Sequence, residues 1–166
     1  MSQAQRLLEL SRELGTHLAA KSLVLATAES CTAGGIAYAV TQVPGASRWF
    51  DRGFVTYSNQ AKRETLGVPA ALIEAHGAVS EPVARAMALG ALAHSQASLV
   101  VAVSGIAGPD GGSAAKPVGT VCFAWARSSG RHAVARTATV HLAGDRAAVR
   151  TQAILVALEG LIAEAR

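Results

Sequence analysis

Residues 97–104 have the sequence ASLVVAVS, the clearest buried-strand pattern in the chain. A short apolar run that is rich in valine predicts a strand covered on both faces of its sheet. The pattern EPVARAMALGALAHS at 81–95 predicts a helix before this strand, with Ser80 as its N-cap and Pro82 tolerated in its first turn. A long glycine-rich loop, GIAGPDGGSAAKP at 105–117, follows the strand. Helix, buried strand and loop in this order indicate one unit of an α/β fold.

The same alternation of helical and strand-like segments extends toward the N-terminus. Leucines recur at helical spacing in the first segment, and the second is a short apolar run typical of a buried strand. In chain order we predict a helix at 4–19, a strand at 22–28, a helix at 36–43, a strand at 53–57, a helix at 58–67 with Ser58 or Asn59 as its N-cap, and a helix at 68–77.

On the C-terminal side, two strand-like segments at 118–127 and 132–142 flank SSGR, which is typical of a β-hairpin. Asp145 is predicted to cap a last helix at 146–165. A hairpin beside otherwise alternating strands and helices makes the sheet mixed. We therefore predict an α/β fold, a three-layer α/β/α sandwich with a mixed, mostly parallel sheet, in which residues 1–166 form a single domain.

The composition fits one globular domain and excludes several classes of protein. Of the 166 residues, 51% are hydrophobic and 16% charged, so a core can form and intrinsic disorder is excluded. No apolar run is long enough to predict a membrane span, and the charged N-terminus lacks the core of a signal peptide, so we expect a cytoplasmic protein without a membrane partner. The net charge of +4 comes from dispersed residues, which indicates a mildly basic surface rather than nucleic-acid binding.

Cysteine and histidine usage gives no metal signature. The 2 cysteines form neither a disulfide framework nor a CxxC pair, and the 5 histidines are scattered without an HExxH pattern. Cys122 lies in an apolar run and is predicted to belong to the core. We expect no metal site and no cofactor.

Three loops at the carboxyl ends of predicted strands form the candidate ligand site, because ligands of open α/β sheets bind there: 29–35, 57–62 and 105–117. In the first of them, ESCTAGG, Ser30 leaves a strand and enters a helix, so its hydroxyl would face the positive end of the helix dipole. Unpaired N–H groups there could hold an oxyanion, and Gly34 and Gly35 let the backbone approach a ligand. An ordinary helix N-cap before a glycine turn explains the same residues.

A serine nucleophile needs a base, and Lys62 is the best-placed candidate, one turn into a helix after a strand end. Its pKa would have to fall from about 10.4 to about 7–8, which desolvation can achieve. Tyr57 could relay a proton or orient Lys62, and Cys31 is a rival nucleophile without an evident base. The alternatives are an exposed helical lysine, a strand tyrosine and a small packing cysteine. The histidines fall on predicted helices or hairpin strands, away from the three loops.

The third loop and the start of the last helix could bind sugar and phosphate. Backbone N–H groups of the glycine-rich loop could cradle a phosphate, and Asp110 could contact ribose hydroxyls or cap a turn. Lys116 and Arg146 are candidate anion contacts. An exposed arginine without a binding role at the start of a helix is an equally good explanation of Arg146.

Six segments carry a resemblance to a known family: TAESCTAGG (27–35), VPGASRWFDRGFVTYSNQAK (43–62), LGV (66–68), HGAVSEPVARAMALGAL (76–92), SGIAGPDGGS (104–113) and KPVGTV (116–121). Together they resemble the C-terminal domain of competence/damage-inducible protein CinA, over about residues 5 to 160. Ala33 stands where the family usually has glycine, and a methyl group there should matter only if the position needs a positive φ. Ser104 stands where some members have threonine.

The resemblance implies an amidase that converts nicotinamide mononucleotide to nicotinic acid mononucleotide and ammonia in pyridine-nucleotide salvage. It implies a metal-free mechanism in which Ser30 is the nucleophile, Lys62 the base and Tyr57 an assisting hydroxyl, and it suggests a homodimer. The predicted substrate-binding residues are Cys31, Thr32, Gly34, Gly35, Ser104, Gly105, Gly108, Asp110, Lys116 and Arg146. The alternative is a non-catalytic nucleotide-binding module that acts through a partner protein, which would not need to keep the three catalytic residues together.

Overall fold

The computed structural model describes residues 2–166, which form six α-helices, one 3₁₀ helix and five strands. In chain order these are α1 (Gln3–Ala20), β1 (Leu25–Glu29), α2 (Gly35–Thr41), the 3₁₀ helix (Ala46–Arg48), β2 (Phe50–Val55), α3 (Asn59–Leu66), α4 (Ala70–His76), α5 (Glu81–Ala93), β3 (Leu99–Gly105), β4 (Thr120–Ser129), β5 (His132–His141) and α6 (Arg146–Ala165). Among these residues, no helix combines the length and the apolar character that a membrane crossing requires.

The strands form one sheet in the order β2-β1-β3-β4-β5. β1 pairs in parallel with both β2 and β3, whereas β4 pairs antiparallel with both β3 and β5. β5 therefore runs in the direction of the three parallel strands, and β4 alone is reversed. The mixed sheet with helices on both faces confirms the predicted α/β fold.

β3 lies at the centre of the molecule because its side chains are buried on both faces of the sheet. Leu99, Val101 and Val103 belong to the core cluster shared with α1, α2 and α6. Val100 and Ala102 belong to the other cluster, which contains residues of α3, α4 and α5. The apolar run ASLVVAVS is therefore continuous because both faces of its strand are covered by helices.

Two strands differ in extent from their predicted ranges. β1 begins at Leu25 rather than at Ser22, which lies in a turn with a φ of 52°. β2 covers Phe50–Val55 rather than 53–57. The prediction began too late because charged residues near the start of this edge strand conceal its strand pattern. As a consequence Tyr57 lies beyond the strand, in the segment that leads into α3.

The predicted N-caps are present and fix where the helices begin. The Ser58 hydroxyl accepts from the N–H of Ala61 at 3.0 Å, and the carboxylate of Asp145 accepts from the N–H of Ala148 at 2.9 Å. The first cap starts α3 shortly after β2 ends, which carries Lys62 back toward the end of the sheet.

Candidate active site

The side chains of Ser30 and Lys62 meet beyond the ends of two neighbouring strands. Because β1 and β2 are parallel, the segments that follow them leave the sheet at the same edge. Lys62 Nζ lies 3.0 Å from Ser30 Oγ. Ser30 is only 8% exposed and Lys62 only 1%. The two residues therefore form a buried, hydrogen-bonded pair.

Two further contacts are compatible with a neutral Lys62 amine at this place. Its Nζ also donates to the carbonyl oxygens of Thr56 at 3.0 Å and Tyr57 at 3.1 Å. A neutral amine has two N–H groups for these carbonyls and one lone pair, which can accept the hydroxyl proton of Ser30. Burial lowers the pKa of Lys62 below its ordinary value, although the nearby Cys31 thiol opposes this shift. The lowered pKa favours the neutral amine, and the hydrogen-bond geometry allows that amine to take a proton from Ser30.

The carboxylate of Glu29 occupies the N-terminus of α2, where the sequence had placed the hydroxyl of Ser30. Its donors are the backbone N–H groups of Ile36 (2.9 Å) and Ala37 (3.0 Å) and the hydroxyls of Thr32 (2.7 Å) and Thr27 (2.9 Å). The prediction that Ser30 faces this helix end was therefore wrong. Successive strand side chains point to opposite faces, so Glu29 rather than its neighbour reaches α2.

The loop 30–34 nevertheless offers backbone N–H groups that are close in sequence to the candidate nucleophile, Ser30. The N–H of Ser30 donates to the carbonyl of Val103, and that of Ala33 donates to the carbonyl of Ser30, both at 3.0 Å. Within the described part of the chain, three N–H groups of this loop donate to no backbone carbonyl, those of Cys31, Thr32 and Gly34. These three are the candidates for holding an oxyanion.

Ala33 has a positive φ, the backbone conformation in which a Cβ methyl group is unfavourable. Its φ is 49°, and the following Gly34 has a φ of 90°. The left-handed region costs a residue with a Cβ atom about 1–2 kcal/mol. The chain therefore carries local strain three residues after Ser30, at the position where its sequence departs from the family that it resembles.

The phenol of Tyr57 lies against Arg146 rather than against the Ser30–Lys62 pair. Arg146 donates to the Tyr57 hydroxyl oxygen at 3.0 Å and to the carbonyl of Gly108 at 2.8 Å. Among the hydrogen bonds of residues 2–166, none joins the Tyr57 hydroxyl to Ser30 or Lys62; the contact with Lys62 is made by the Tyr57 carbonyl. Arg146 thus links the 105–117 loop to the segment after β2.

A pocket of about 220 Å³ lies over the Ser30–Lys62 pair. The predicted site residues that line it are Ser30, Cys31, Tyr57, Lys62, Ser104, Gly105 and Arg146. They come from all three predicted loops and from the start of α6. No histidine is among the residues that line this pocket in the described chain.

Within the pocket, Cys31 and Ser104 have specific surroundings. Burial raises the pKa of the Cys31 thiol to about 11, so the thiol stays protonated at neutral pH and is a poor rival to Ser30. The Ser104 hydroxyl donates to the carbonyl of Ala78 at 2.8 Å. Gly105 is needed for packing, because a Cβ atom there would lie 2.8 Å from a methyl carbon of Val121.

Several predicted binding residues are directed away from the pocket or keep only their backbone near it. The hydroxyl of Thr32 points to Glu29, and Gly35 packs against Ile154, which a Cβ atom would meet at 2.6 Å. Asp110 is exposed, and the Lys116 amine donates to the carbonyl of His76 at 2.6 Å. The structure therefore directs Lys116 to the end of α4 and not to the pocket.

Sequence reasoning missed four lining residues, Asn59, Ala78, Val79 and Ala107. The last three are small or apolar and carry no chemical signal. It also missed Glu29, although a carboxylate directly before the candidate nucleophile was visible. Arg150, one turn after Arg146 on α6, donates to the carbonyl of Thr32 at 3.4 Å.

Across residues 2–166, no three His, Cys, Asp or Glu side chains cluster so that they could hold a metal ion.

Comparison with known proteins identifies the family of the chain. The CinA C-terminal domain family matches residues 7–165. A protein of Enterobacter agglomerans named nicotinamide-nucleotide amidohydrolase PncC is 54% identical over 160 residues, which are 96% of each chain. A putative competence-damage inducible protein of Symbiobacterium thermophilum is 57% identical over 154 residues, which are 90% of this chain and 36% of that one.

Solved structures show the same fold. The competence/damage inducible protein CihA from Agrobacterium tumefaciens has a TM-score of 0.89 and 45% identity, covering 95% of this chain and 94% of that one. A CinA superfamily protein from Escherichia coli has a TM-score of 0.89 and 38% identity, covering 98% and 92%. The resemblance found in the six sequence segments is confirmed, and the chain belongs to the CinA C-terminal domain family.

Proposed function

We propose that this chain is a nicotinamide-nucleotide amidohydrolase that converts nicotinamide mononucleotide to nicotinic acid mononucleotide and ammonia, as a step of pyridine-nucleotide salvage. The observation that carries the proposal is the 3.0 Å contact between Lys62 Nζ and Ser30 Oγ at a pocket. The substrate is supported by relatives whose names state this activity, at 54% identity in Enterobacter agglomerans and 50% in Escherichia coli.

The first half of the proposed reaction forms an acyl-enzyme. Neutral Lys62 takes the hydroxyl proton of Ser30, and Ser30 Oγ bonds to the carboxamide carbon of the substrate. The resulting oxyanion accepts hydrogen bonds from the unpaired N–H groups of loop 30–34. When the carbon–nitrogen bond breaks, the Lys62 ammonium returns the proton to the departing nitrogen, which leaves as ammonia. Because Lys62 contacts Ser30 directly, this transfer needs no relay through Tyr57.

The second half hydrolyses the acyl-enzyme. Lys62 takes a proton from a water molecule, whose oxygen attacks the acyl carbon. The carbon–oxygen bond to Ser30 then breaks, and the serine oxygen regains its proton from Lys62. Nicotinic acid mononucleotide forms as a carboxylic acid, which releases the remaining water proton to solvent and becomes a carboxylate.

The size of the pocket indicates how the substrate is oriented. A volume of about 220 Å³ is below the range of roughly 300–1,000 Å³ that is usual for ligand pockets. The pocket therefore suits the pyridine carboxamide, while ribose and phosphate extend outside. Arg146 is exposed at the rim, and its guanidinium is the cation best placed to meet the phosphate.

The assembly and the compartment are also proposals. A homodimer is supported by two exposed apolar side chains, Tyr38 on α2 at 69% and Val55 at the end of the edge strand β2 at 54%. A molecular mass of one chain in light scattering would contradict the homodimer.

A cytoplasmic location suits a substrate of nucleotide salvage, and cell fractionation would test this location.

The first test is ammonia release from nicotinamide mononucleotide by the wild type and by two variants. Ser30→Ala and Lys62→Met should each lower kcat by about 1,000-fold or more, because nucleophile and base act as a unit. Ser129→Ala and Lys21→Met change exposed residues of the same types and should keep wild-type turnover.

The outcome separates the amidase from the alternative, a nucleotide-binding module. Ammonia from the wild type and both controls, but not from the two site variants, supports the proposal. A folded wild type that binds the nucleotide in calorimetry without releasing ammonia favours the binding module. Near-normal turnover by Ser30→Ala would show that another group is the nucleophile.

A further inference from the structure

Glu29 is a buried carboxylate that the proposed reaction does not use. It is the last residue of β1 and directly precedes Ser30, and its side chain is 0% exposed. The alternation of the strand sends Ser30 toward Lys62 on α3 and Glu29 toward α2. The carboxylate next to the nucleophile in sequence is therefore directed away from the pocket.

Four hydrogen-bond donors from three parts of the chain, β1, loop 30–34 and α2, surround this carboxylate. Oε1 accepts from the hydroxyl of Thr32 and the N–H of Ile36, and Oε2 accepts from the hydroxyl of Thr27 and the N–H of Ala37. A buried charge is tolerated when it is fully hydrogen-bonded. An ionised carboxylate only accepts, so it satisfies four donors at once, which an amide of the same shape cannot do.

Thr32 connects Glu29 to the loop that carries the nucleophile. Its hydroxyl donates to Glu29 at 2.7 Å, and its carbonyl accepts from the N–H of Gly35 at 2.9 Å and from Arg150 at 3.4 Å. Thr32 is 1% exposed. Its own N–H is one of those in loop 30–34 that donate to no backbone carbonyl of the described chain. The bonds to its side chain and carbonyl therefore set where that N–H points.

We propose that Glu29 is a positioning residue that, through Thr32, holds loop 30–34 and its oxyanion-binding N–H groups in the geometry required for turnover. This inference rests on the proposed amidohydrolase function. The competing explanation is that Glu29 only caps α2 and supports the fold. The two threonines on the same carboxylate separate these explanations, because Thr32 lies in the loop and Thr27 lies within β1.

The experiment compares Thr32→Val with Thr27→Val in the full chain. Each variant removes one buried hydroxyl from Glu29 at nearly constant side-chain volume, so a purely structural role predicts similar effects. Thr32→Val is expected to lower kcat for nicotinamide mononucleotide by about 100-fold with KM within about threefold, because a small displacement of catalytic groups is costly. Thr27→Val should keep kcat within about threefold, and Thr32→Ser, which restores the hydroxyl, should recover most of the turnover. Urea unfolding of both valine variants reports how far each destabilises the fold.

Equal losses of kcat in the two valine variants, or wild-type kcat in Thr32→Val, would overturn the positioning role. Glu29→Gln must turn an NH₂ group toward the N–H of either Ile36 or Ala37, so a folded Glu29→Gln with wild-type kcat would overturn it too. If this variant does not fold, the threonine pair decides. A wild type that releases no ammonia refutes the proposed function, and this inference with it. An active wild type, together with equal losses of kcat in Thr32→Val and Thr27→Val, refutes the inference alone.

Discussion

Ala33 shows how one methyl group can strain the loop that carries Ser30. Its φ of 49° is held by the surrounding loop, in which the N–H of Ala33 donates to the carbonyl of Ser30 and the N–H of Gly35 donates to that of Thr32. Residues in sparsely populated conformations persist when neighbouring contacts over-determine them, and they cluster at active sites. The strain here lies within the loop that positions Ser30.

Replacing Ala33 by glycine should therefore stabilise the protein. Removing the methyl group relieves about 1–2 kcal/mol of strain in the folded state. Glycine also makes the unfolded chain more flexible, which lowers the free energy of unfolding by roughly 0.4–1 kcal/mol. We therefore expect a net increase in the free energy of unfolding of about 0.5–1 kcal/mol. The measurement is the free energy of unfolding in urea.

Ala163→Gly is the matched control, since Ala163 is exposed on α6 in ordinary helical conformation. The same substitution should there destabilise by about 1 kcal/mol, as helix propensity predicts. A loss of stability in Ala33→Gly would show that the left-handed backbone is not strained.

Other residues in the site explain why only part of it could be predicted. Ser30 and Lys62 follow from strand ends and from a family resemblance, and the structure brings their side chains together. The partners of Glu29 and Lys116 could not be predicted, because they depend on how a loop turns and on which carbonyl lies within reach. Tyr57 and Arg146 are far apart in sequence, and only the folded chain joins them.

At the scale of elements, α6 and β4 meet at an unusually close contact. A Cβ atom on Gly160 would lie 2.1 Å from Cε2 of Trp125. The Trp125 indole is held in place, since it donates to the carbonyl of Ala157 at 3.1 Å and stacks on Phe123 with ring centroids 5.4 Å apart. The guanidinium of Arg136 lies 4.1 Å above the same ring system. The indole has little freedom to move away from α6.

Gly160→Ala should destabilise the protein by about 1–3 kcal/mol, the usual cost of overpacking a core. Helix propensity alone predicts the opposite sign, a gain of about 1 kcal/mol. Urea unfolding followed by circular dichroism decides between the two. A variant more stable than the wild type would mean that Trp125 can move away without loss of its contacts.

The elements were predicted best where their signals are local. The caps Ser58, Ser80 and Asp145 lie next to the helices they start, and each accepts the predicted N–H bond. The range of β2 was predicted less well because it depends on pairing with β1, distant in sequence, while its own charged residues obscure the pattern. The seven-residue helix α2 ends at Thr41, before the predicted 43.

At the scale of the whole molecule, the order of the strands determines where the site lies. The parallel neighbours β1, β2 and β3 end at one edge, and the loops that follow them converge there. This could be predicted, because the carboxyl-end rule depends only on strand direction. The stability of the whole fold is in turn linked to the site, since a titratable amine is buried beyond the ends of β1 and β2.

Burial lowers the pKa of Lys62 below its ordinary value of 10.5 in the folded protein. Between the folded pKa and 10.5 the unfolded chain binds more protons than the folded one, so the free energy of unfolding rises with pH in this window. Lys62→Met has no such group. We therefore expect the stability of the wild type relative to Lys62→Met to increase as the pH is raised from 7 toward 10.

Urea unfolding of both proteins at a series of pH values measures this difference directly. Other titrating groups are common to the two proteins and largely cancel in the comparison. A difference that stays constant or falls with rising pH would mean that Lys62 remains an ordinary ammonium in the folded state.

The burial of Lys62 also determines which chemical reagents can reach it. Because burial lowers the pKa of this amine, a larger fraction of it is unprotonated and able to react at neutral pH than in an ordinary lysine. With 1% of its surface exposed, however, it is shielded from acylating reagents in bulk solvent, which would modify the exposed Lys21 first. Only an electrophile small enough to enter the pocket would encounter Lys62 together with Ser30. The selectivity of a covalent inhibitor would thus depend on its shape more than on its reactivity.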